Sequence, residues 1–174
     1  MEKIPVAKIK PQGVIAEKND SSGLYDRSRF GTIYEKDFLL FSNLEALYLV
    51  KKKKLIVKKG LKKLDFEKLL EIFEKDDHKI WLRYTVFEDL RNAGYIVKTA
   101  VKFGADFRVY DKGVKPGEDH AKWVVFPVKE DEILRWQEFS AKNRVANSTK
   151  KKLLIAILDA ENDVVYYEVK WIRP

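Results

Sequence analysis

The stretch YIVKTAVKFGADFRVYDKGVKPGEDHAKWVV, residues 95–125, decides the fold. Tyr95 to Val101, Asp106 to Tyr110 and the run from Lys122 to Val128 are rich in β-branched and aromatic residues, and Gly104 marks a turn or bulge between the first two. Three strands in succession therefore build a sheet here. The same stretch carries residues that look chemical: Tyr110 on the second run and His120 past a Gly/Pro/charged loop. A third, Lys151, stands in the run Lys150-Lys151-Lys152 just before the apolar segment LLIAIL. Phenol, imidazole and ammonium together can deprotonate, protonate and stabilise negative charge without a metal.

Upstream of this stretch, Trp81, Tyr84, Phe87 and Leu90 recur at helical spacing from Ile80, and Gly94 can take the left-handed cap position. Downstream, Ile133, Leu134, Trp136 and Phe139 predict an amphipathic helix over 130–141. Lys152 to Leu158 and Val164 to Ile172 then read as a strand pair joined by the acidic loop Asp159-Ala160-Glu161-Asn162-Asp163.

The N-terminal half has its own pattern. Val6 to Lys10 and Val14 to Lys18 flank the turn Pro11-Gln12-Gly13 and predict a hairpin, with a polar stretch from Asn19 to Gly23 after it. Tyr25 to Phe30 has no clean period, and Phe38 to Phe41 is a short apolar run. Ser42-Asn43-Leu44-Glu45 has capping-box spacing, which places a helix from Asn43 to about Lys52. Lys51 to Lys54, Lys58, Lys59, Lys62 and Lys63 surround the strand-like Leu55-Ile56-Val57, either as a phosphate-binding surface or as a solvated face. Phe66, Leu69, Leu70 and Phe73 predict a helix from about Asp65, and Asp76 to Lys79 interrupts the apolar pattern. The expected class is α/β of the α+β kind: a small mixed α/β domain over 1–78 and a second α/β domain around a central mixed sheet over 79–174.

Composition narrows the function classes. Within 174 residues there is no cysteine, so a disulfide framework, a Cys-ligated zinc and a thiol nucleophile are excluded, in keeping with a cytoplasmic protein. No apolar run approaches the roughly 18 residues of a membrane span. A net charge of +8 suits a polyanionic partner and equally a surface of solvated lysines. Asp106 is followed by no closely spaced Glu-x-Lys on the next strand, and no His/Asp/Glu cluster at ligand spacing marks a metal site. His78, the other histidine, reads as a surface residue of the Asp76–Lys79 junction.

LEALYLV (44–50), FEDLRNAGYIVKTAVKFGADFRVY (87–110), DHAKWVVF (119–126) and RVANSTKKKLLIAILDAENDVVYYEV (144–169), in that order, resemble the archaeal tRNA-splicing endonuclease family. The resemblance is strong from Trp81 onward and weak before residue 38. It implies a restriction-endonuclease-like catalytic domain that needs no cofactor. It also implies precursor tRNA as substrate, cut at both splice sites of a bulge-helix-bulge. By the resemblance, Tyr110, His120 and Lys151 are catalytic, the lysine's register within Lys150–Lys152 coming from the strand that follows. Arg144 and Tyr166 hold a flipped base between planar faces. Asp159, Glu161 and Asp163 dock on a neighbouring subunit of a homotetramer, with a heterotetramer containing a second endonuclease subunit as the family's other assembly.

Such chemistry has simple needs. RNA carries its own nucleophile, the 2′-hydroxyl, so cleavage requires a base, an acid for the departing 5′-oxygen and a cation near the phosphorane. An imidazole changes charge near neutral pH, which makes His120 the natural acid. A phenol is a poor base unless a cation favours phenolate, so Tyr110 either takes the proton or orients the 2′-hydroxyl. The competing readings are a metal-dependent nuclease of restriction-endonuclease-like fold, for which Asp106 is the nearest carboxylate, and a non-catalytic RNA-binding subunit.

Overall fold

The computed structural model describes residues 4–117 and 120–173. Glu118 and Asp119 of the loop before His120 lie outside them, so the start of the 119–126 motif is not described. The chain divides into two compact units, one running through Tyr84 and the other beginning at Thr85. This division falls inside a helix.

In the first unit, β1 (Val6–Lys10) and β2 (Gly13–Glu17) form the predicted antiparallel hairpin. Gly13 sits at φ 136°, and a Cβ there would lie 2.9 Å from Leu40 Cδ1, so the turn requires glycine. The polar stretch expected after β2 is instead a helix, α1 (Lys18–Ser28). Its composition argues against helix, with Gly23 and several serines, and it buries only Ser21. One end has a tertiary anchor, Lys18 N donating to Asp37 O, and the other a local cap, Arg29 in a left-handed conformation closing on the helix's own carbonyls of Leu24 and Tyr25.

After β3 (Thr32–Tyr34) and β4 (Phe38–Phe41), α2 (Asn43–Lys51) starts at the capping box read from the sequence. Ser42 Oγ accepts from Glu45 N, and Glu45 Oε2 accepts from Ser42 N. The buried Glu45 also accepts from Gly31 N, so its carboxylate is satisfied on both sides. β5 (Ile56–Lys59) and β6 (Lys62–Leu64) form a second hairpin, and α3 (Phe66–Glu74) is capped by Asp65, which accepts from Lys68 N. The sheet order is β3-β4-β2-β1-β5-β6, with β1 and β5 parallel and every other pair antiparallel. Ala7, Val14, Ala16, Leu39, Phe41, Val57 and Leu64 bury one side of it.

Helix α4 (Ile80–Asn92) ends as Gly94 predicts. Gly94, at φ 92°, donates to Arg91 O and Tyr95 donates to Leu90 O, the two bonds of a Schellman motif. The second unit's sheet runs β11 (Val164–Val169), β10 (Lys152–Leu158), β9 (Trp123–Lys129), β8 (Phe107–Tyr110), β7 (Ile96–Thr99). Strands β9 and β10 are parallel and the other pairs antiparallel. Two mixed sheets with helices give the α/β class expected.

The parallel pair is joined by α5 (Trp136–Ser148), a correction to the helix expected over 130–141. Residues 130–135 instead form a turn and an extended approach: Glu130 N donates to Leu158 O, Glu132 N to Lys129 O, and Arg135 N to Glu138 Oε2 at the helix entrance. Ile133 is 89% exposed and Trp136 82%, so the apolar periodicity there does not mark a core stripe. The contacts that seat α5 come from Val145 and Ala146, packed with Val124, Phe126, Leu153 and Ile155. Among the described residues no helix is long and apolar enough to cross a membrane.

Candidate active site

Tyr110 is the last residue of β8, His120 lies just before β9, and Lys151 immediately precedes β10. Because β8 runs antiparallel to β9, and β9 parallel to β10, these three positions fall at one end of three neighbouring strands. The backbone of Lys122 links them: its N–H donates to Val109 O at 2.9 Å, and its carbonyl accepts from Lys152 N at 2.9 Å. Adjacent strands lie about 4.8 Å apart, so the outer two are about 10 Å apart across β9.

Side-chain direction follows from register. Arg108 pairs with Val124 and Lys98, and Val124 packs toward α5, so Tyr110, two residues on from Arg108, faces α5 as well. Lys151, two residues before the α5-facing Leu153, falls on that side too. Tyr110 is only 4% exposed, packed rather than presented, and the Arg108 guanidinium lies 6.0 Å from its ring centroid. His120 is exposed.

The end of α5 positions Lys151. Lys150 N donates to Asn147 O and Lys151 N to Ala146 O at 2.9 Å, with Lys150 at φ 54°. This is a second Schellman motif, with lysine where glycine is the usual choice, at a cost of about 1 kcal/mol or more. Thr149 Oγ1 reinforces the turn by donating to Val145 O at 2.8 Å, and Lys151 Nζ donates to Thr149 O at 2.9 Å. Lys152 points to the opposite side of the sheet, where its ammonium meets Glu168 at 2.8 Å. Trp123 Nε1 donates to the other oxygen of Glu168, and these bonds, that from Lys152 foremost, hold its carboxyl below the ordinary glutamate value.

Two interactions at this end have no counterpart in sequence spacing. Lys122 Nζ lies 2.7 Å from Asp111 Oδ2, a pair directly beside Tyr110. That hydrogen bond raises the lysine's pKa and lowers the aspartate's. The Lys152–Glu168–Trp123 cluster joins positions up to 45 residues apart. Only strand register brings these groups together. The one sequence signal for them is the alternation within each strand, which tells side from side but not partner from partner.

The other candidates lie elsewhere. Arg144 is exposed on α5, seven residues before Lys151. Tyr166 pairs with Ala156, four residues along from Lys152, hence about 13 Å from the site end. Its hydroxyl donates to Asp89 Oδ2 of α4 at 2.7 Å. Burial first, and then that hydrogen bond, push the phenol well above the ordinary tyrosine value. Asp159, at the far end of β10, accepts from Glu161 N and Asp163 N through Oδ1, so it builds the hairpin turn, while Glu161 and Asp163 are exposed. Among the described residues no three His, Asp or Glu side chains are placed to share a metal ion.

Residues 80–166 match the model for the tRNA intron endonuclease catalytic C-terminal domain, and residues 9–70 match that for the tRNA intron endonuclease N-terminal domain. The tRNA-splicing endonuclease of Thermococcus onnurineus is 39% identical over 150 residues, covering 86% of this chain and 85% of that protein. That of Methanothermobacter thermautotrophicus is 40% identical over 151 residues, 87% of each chain. That of Nanoarchaeum equitans is 44% identical over 137 residues, 75% of this chain and 88% of its own. With both domain models matched in order and relatives aligned over most of its length, this chain belongs to the tRNA intron endonuclease family.

Proposed function

We propose that this chain is the catalytic subunit of a tRNA-splicing endonuclease, which removes introns by cutting both splice sites of a bulge-helix-bulge in precursor tRNA. The observation that carries the reading is that Tyr110, His120 and Lys151 fall at one end of the neighbouring strands β8, β9 and β10. The 2′-hydroxyl attacks the adjacent phosphorus, and Tyr110 takes its proton or orients it. Lys151 stabilises the extra charge of the phosphorane. His120 gives a proton to the departing 5′-oxygen, so the P–O5′ bond breaks and a 2′,3′-cyclic phosphate and a 5′-hydroxyl remain. Every step uses side chains of this protein, and no cofactor is required. The test is cleavage of a bulge-helix-bulge RNA in excess chelator with end-group analysis of the products. Activity that disappears with chelator and returns with Mg²⁺ would favour the metal-dependent alternative.

Arg144 stacks on a base at the cut site in this reading. The position of Tyr166, tied to Asp89 and well along β11, supports a role for its ring face alone. The reading places the enzyme in the cytoplasm as a homotetramer. Two features support self-association: β11 is an edge strand with Val165 and Tyr167 exposed, and Ile133 and Trp136 are open. The seven residues of β10 hold the acidic loop about 23 Å from the Lys151 end of the strand, so a chain's own loop does not reach its own site end. Glu161→Lys with Asp163→Lys leaves the turn-forming Asp159 intact and should lower the mass seen by light scattering. An unchanged mass would remove the loop from the interface.

A further inference from the structure

In the first unit's sheet, Lys8 of β1 is registered with Lys58 of β5, and Lys58 with Lys63 of β6. Registered partners share a side, so three ammonium groups stand in one row across three strands, spaced about 4.8 Å at the backbone. The alternate positions Ala7, Val57 and Leu64 are buried on the other side, so the row lies on the face away from that core. Lys8 and Lys63 are exposed, Lys58 is half-buried, and Lys10 shares the side. The row continues across β2 and β4 through Ile15 and Leu40, and carries no carboxylate. Glu17, on the same side of β2, pairs with Phe38 and lies two residues off the row.

Among the described residues none of Lys8, Lys58 or Lys63 is in an ion pair, whereas Lys68, Lys122 and Lys152 each meet a carboxylate. Like charges directly opposite one another destabilise a sheet. A row of them is explained by a partner that neutralises it. Resting on the proposed RNA substrate, we infer that this row binds the sugar-phosphate backbone of an RNA helix. A line of point charges on one face of a sheet, with no aromatic ring among its registered members, matches regularly spaced phosphates and carries no means of reading bases. The surface therefore positions a helical part of the substrate without regard to its sequence.

The probe is an RNA duplex without bulges, titrated with the full chain over a range of salt. For the Lys8→Ala, Lys58→Ala, Lys63→Ala variant, affinity at low salt should fall tenfold or more. The slope of log K against log salt should become shallower by about 2 to 3, one phosphate contact per lysine. The Arg variant at the same three positions should keep the parental slope. A control lacking the exposed Lys36 and Lys75 loses charge off the row and should change the slope by less than one. The thermal midpoint of the Ala variant should equal or exceed the parent's, because repulsion has been removed. Equal slopes for the row and control variants, or loss of binding in the Arg variant as well, would overturn the inference. The duplex holds no cleavage site, so its binding is judged apart from cleavage of bulged RNA by the parent. Failure of that cleavage would count against the proposed function and leave the duplex result to decide the lysine row.

Discussion

The two sheets share a plan and differ in how they treat charge. Each is mixed, with a single parallel pair, and each buries apolar side chains on at least one side. In the second sheet the charged groups near the site are bridged: Lys122 to Asp111, and Lys152 to Glu168 with Trp123. In the first, Lys8, Lys58 and Lys63 stand in register with no carboxylate among them. Bridged charges restrict the side chains around a reacting centre, where a small misplacement costs rate. Unbridged charges in a row repel each other and attract a polyanion. The difference separates a surface that holds geometry from one that supplies attraction.

The sharpest challenge to that contrast is His120→Ala. It should lower the single-turnover cleavage rate by about 10² to 10⁴ while leaving RNA affinity close to parental, since an acid acts in the transition state. A substrate with sulfur replacing the 5′-oxygen leaves without a proton and should restore the rate in His120→Ala but not in Tyr110→Phe. Phe is the substitution to use, because Tyr110 is packed and Ala would also open a cavity. If affinity fell as far as rate, His120 would act by attraction and the contrast would fail.

Next in size is the pair Lys151 and Lys152. Lys151→Ala should lose on the order of 10² in rate, the scale of a removed transition-state donor. Lys152→Ala, whose ammonium faces Glu168 across the sheet, should lose only a few-fold. The opposite ranking would move the catalytic register by one residue and assign the charge to the wrong side of the sheet.

Arg144→Ala should weaken productive binding by about tenfold, within the roughly 1 to 3 kcal/mol of a base stack, with the melting curve unchanged because the side chain is exposed. Parental rates at subsaturating substrate would remove it from the site.

The smallest effect concerns pH. The Glu168 carboxyl titrates below its ordinary value of 4.5 in the fold, so its contribution is present above that value and is lost as pH falls through the lower, folded one. Glu168→Gln should therefore flatten the acid side of the stability curve slightly, leaving the ranking of variants near neutral pH unchanged. An acid limb identical to the parent's would mean the bridge contributes nothing to folding.

Local signals decided a large share of this protein. The hairpin around Gly13, the capping box at Ser42, the helix start near Asp65 and the stop at Gly94 are each written in a few adjacent residues, and each forms where those residues predict. Tyr110 on β8 and Lys151 just before β10 were legible for the same reason, because β-branched runs mark strands without reference to the rest of the chain. The two ends of α5 were not. Gly94 announces a left-handed cap because glycine carries no steric penalty there, whereas Lys150 makes the same Schellman motif under strain and is invisible as a stop. The apolar periodicity at Ile133 and Trp136 suggested a core stripe that packing placed elsewhere, at Val145 and Ala146. Helix α1 formed from poor helix formers, with its first residue tied to distant backbone through Lys18 N and Asp37 O. Tertiary structure alone also decided that Asp111 meets Lys122, that Tyr166 is held by Asp89, and that Lys8, Lys58 and Lys63 form one row. Propensity and capping act over a few residues of chain, whereas strand register couples residues tens of positions apart.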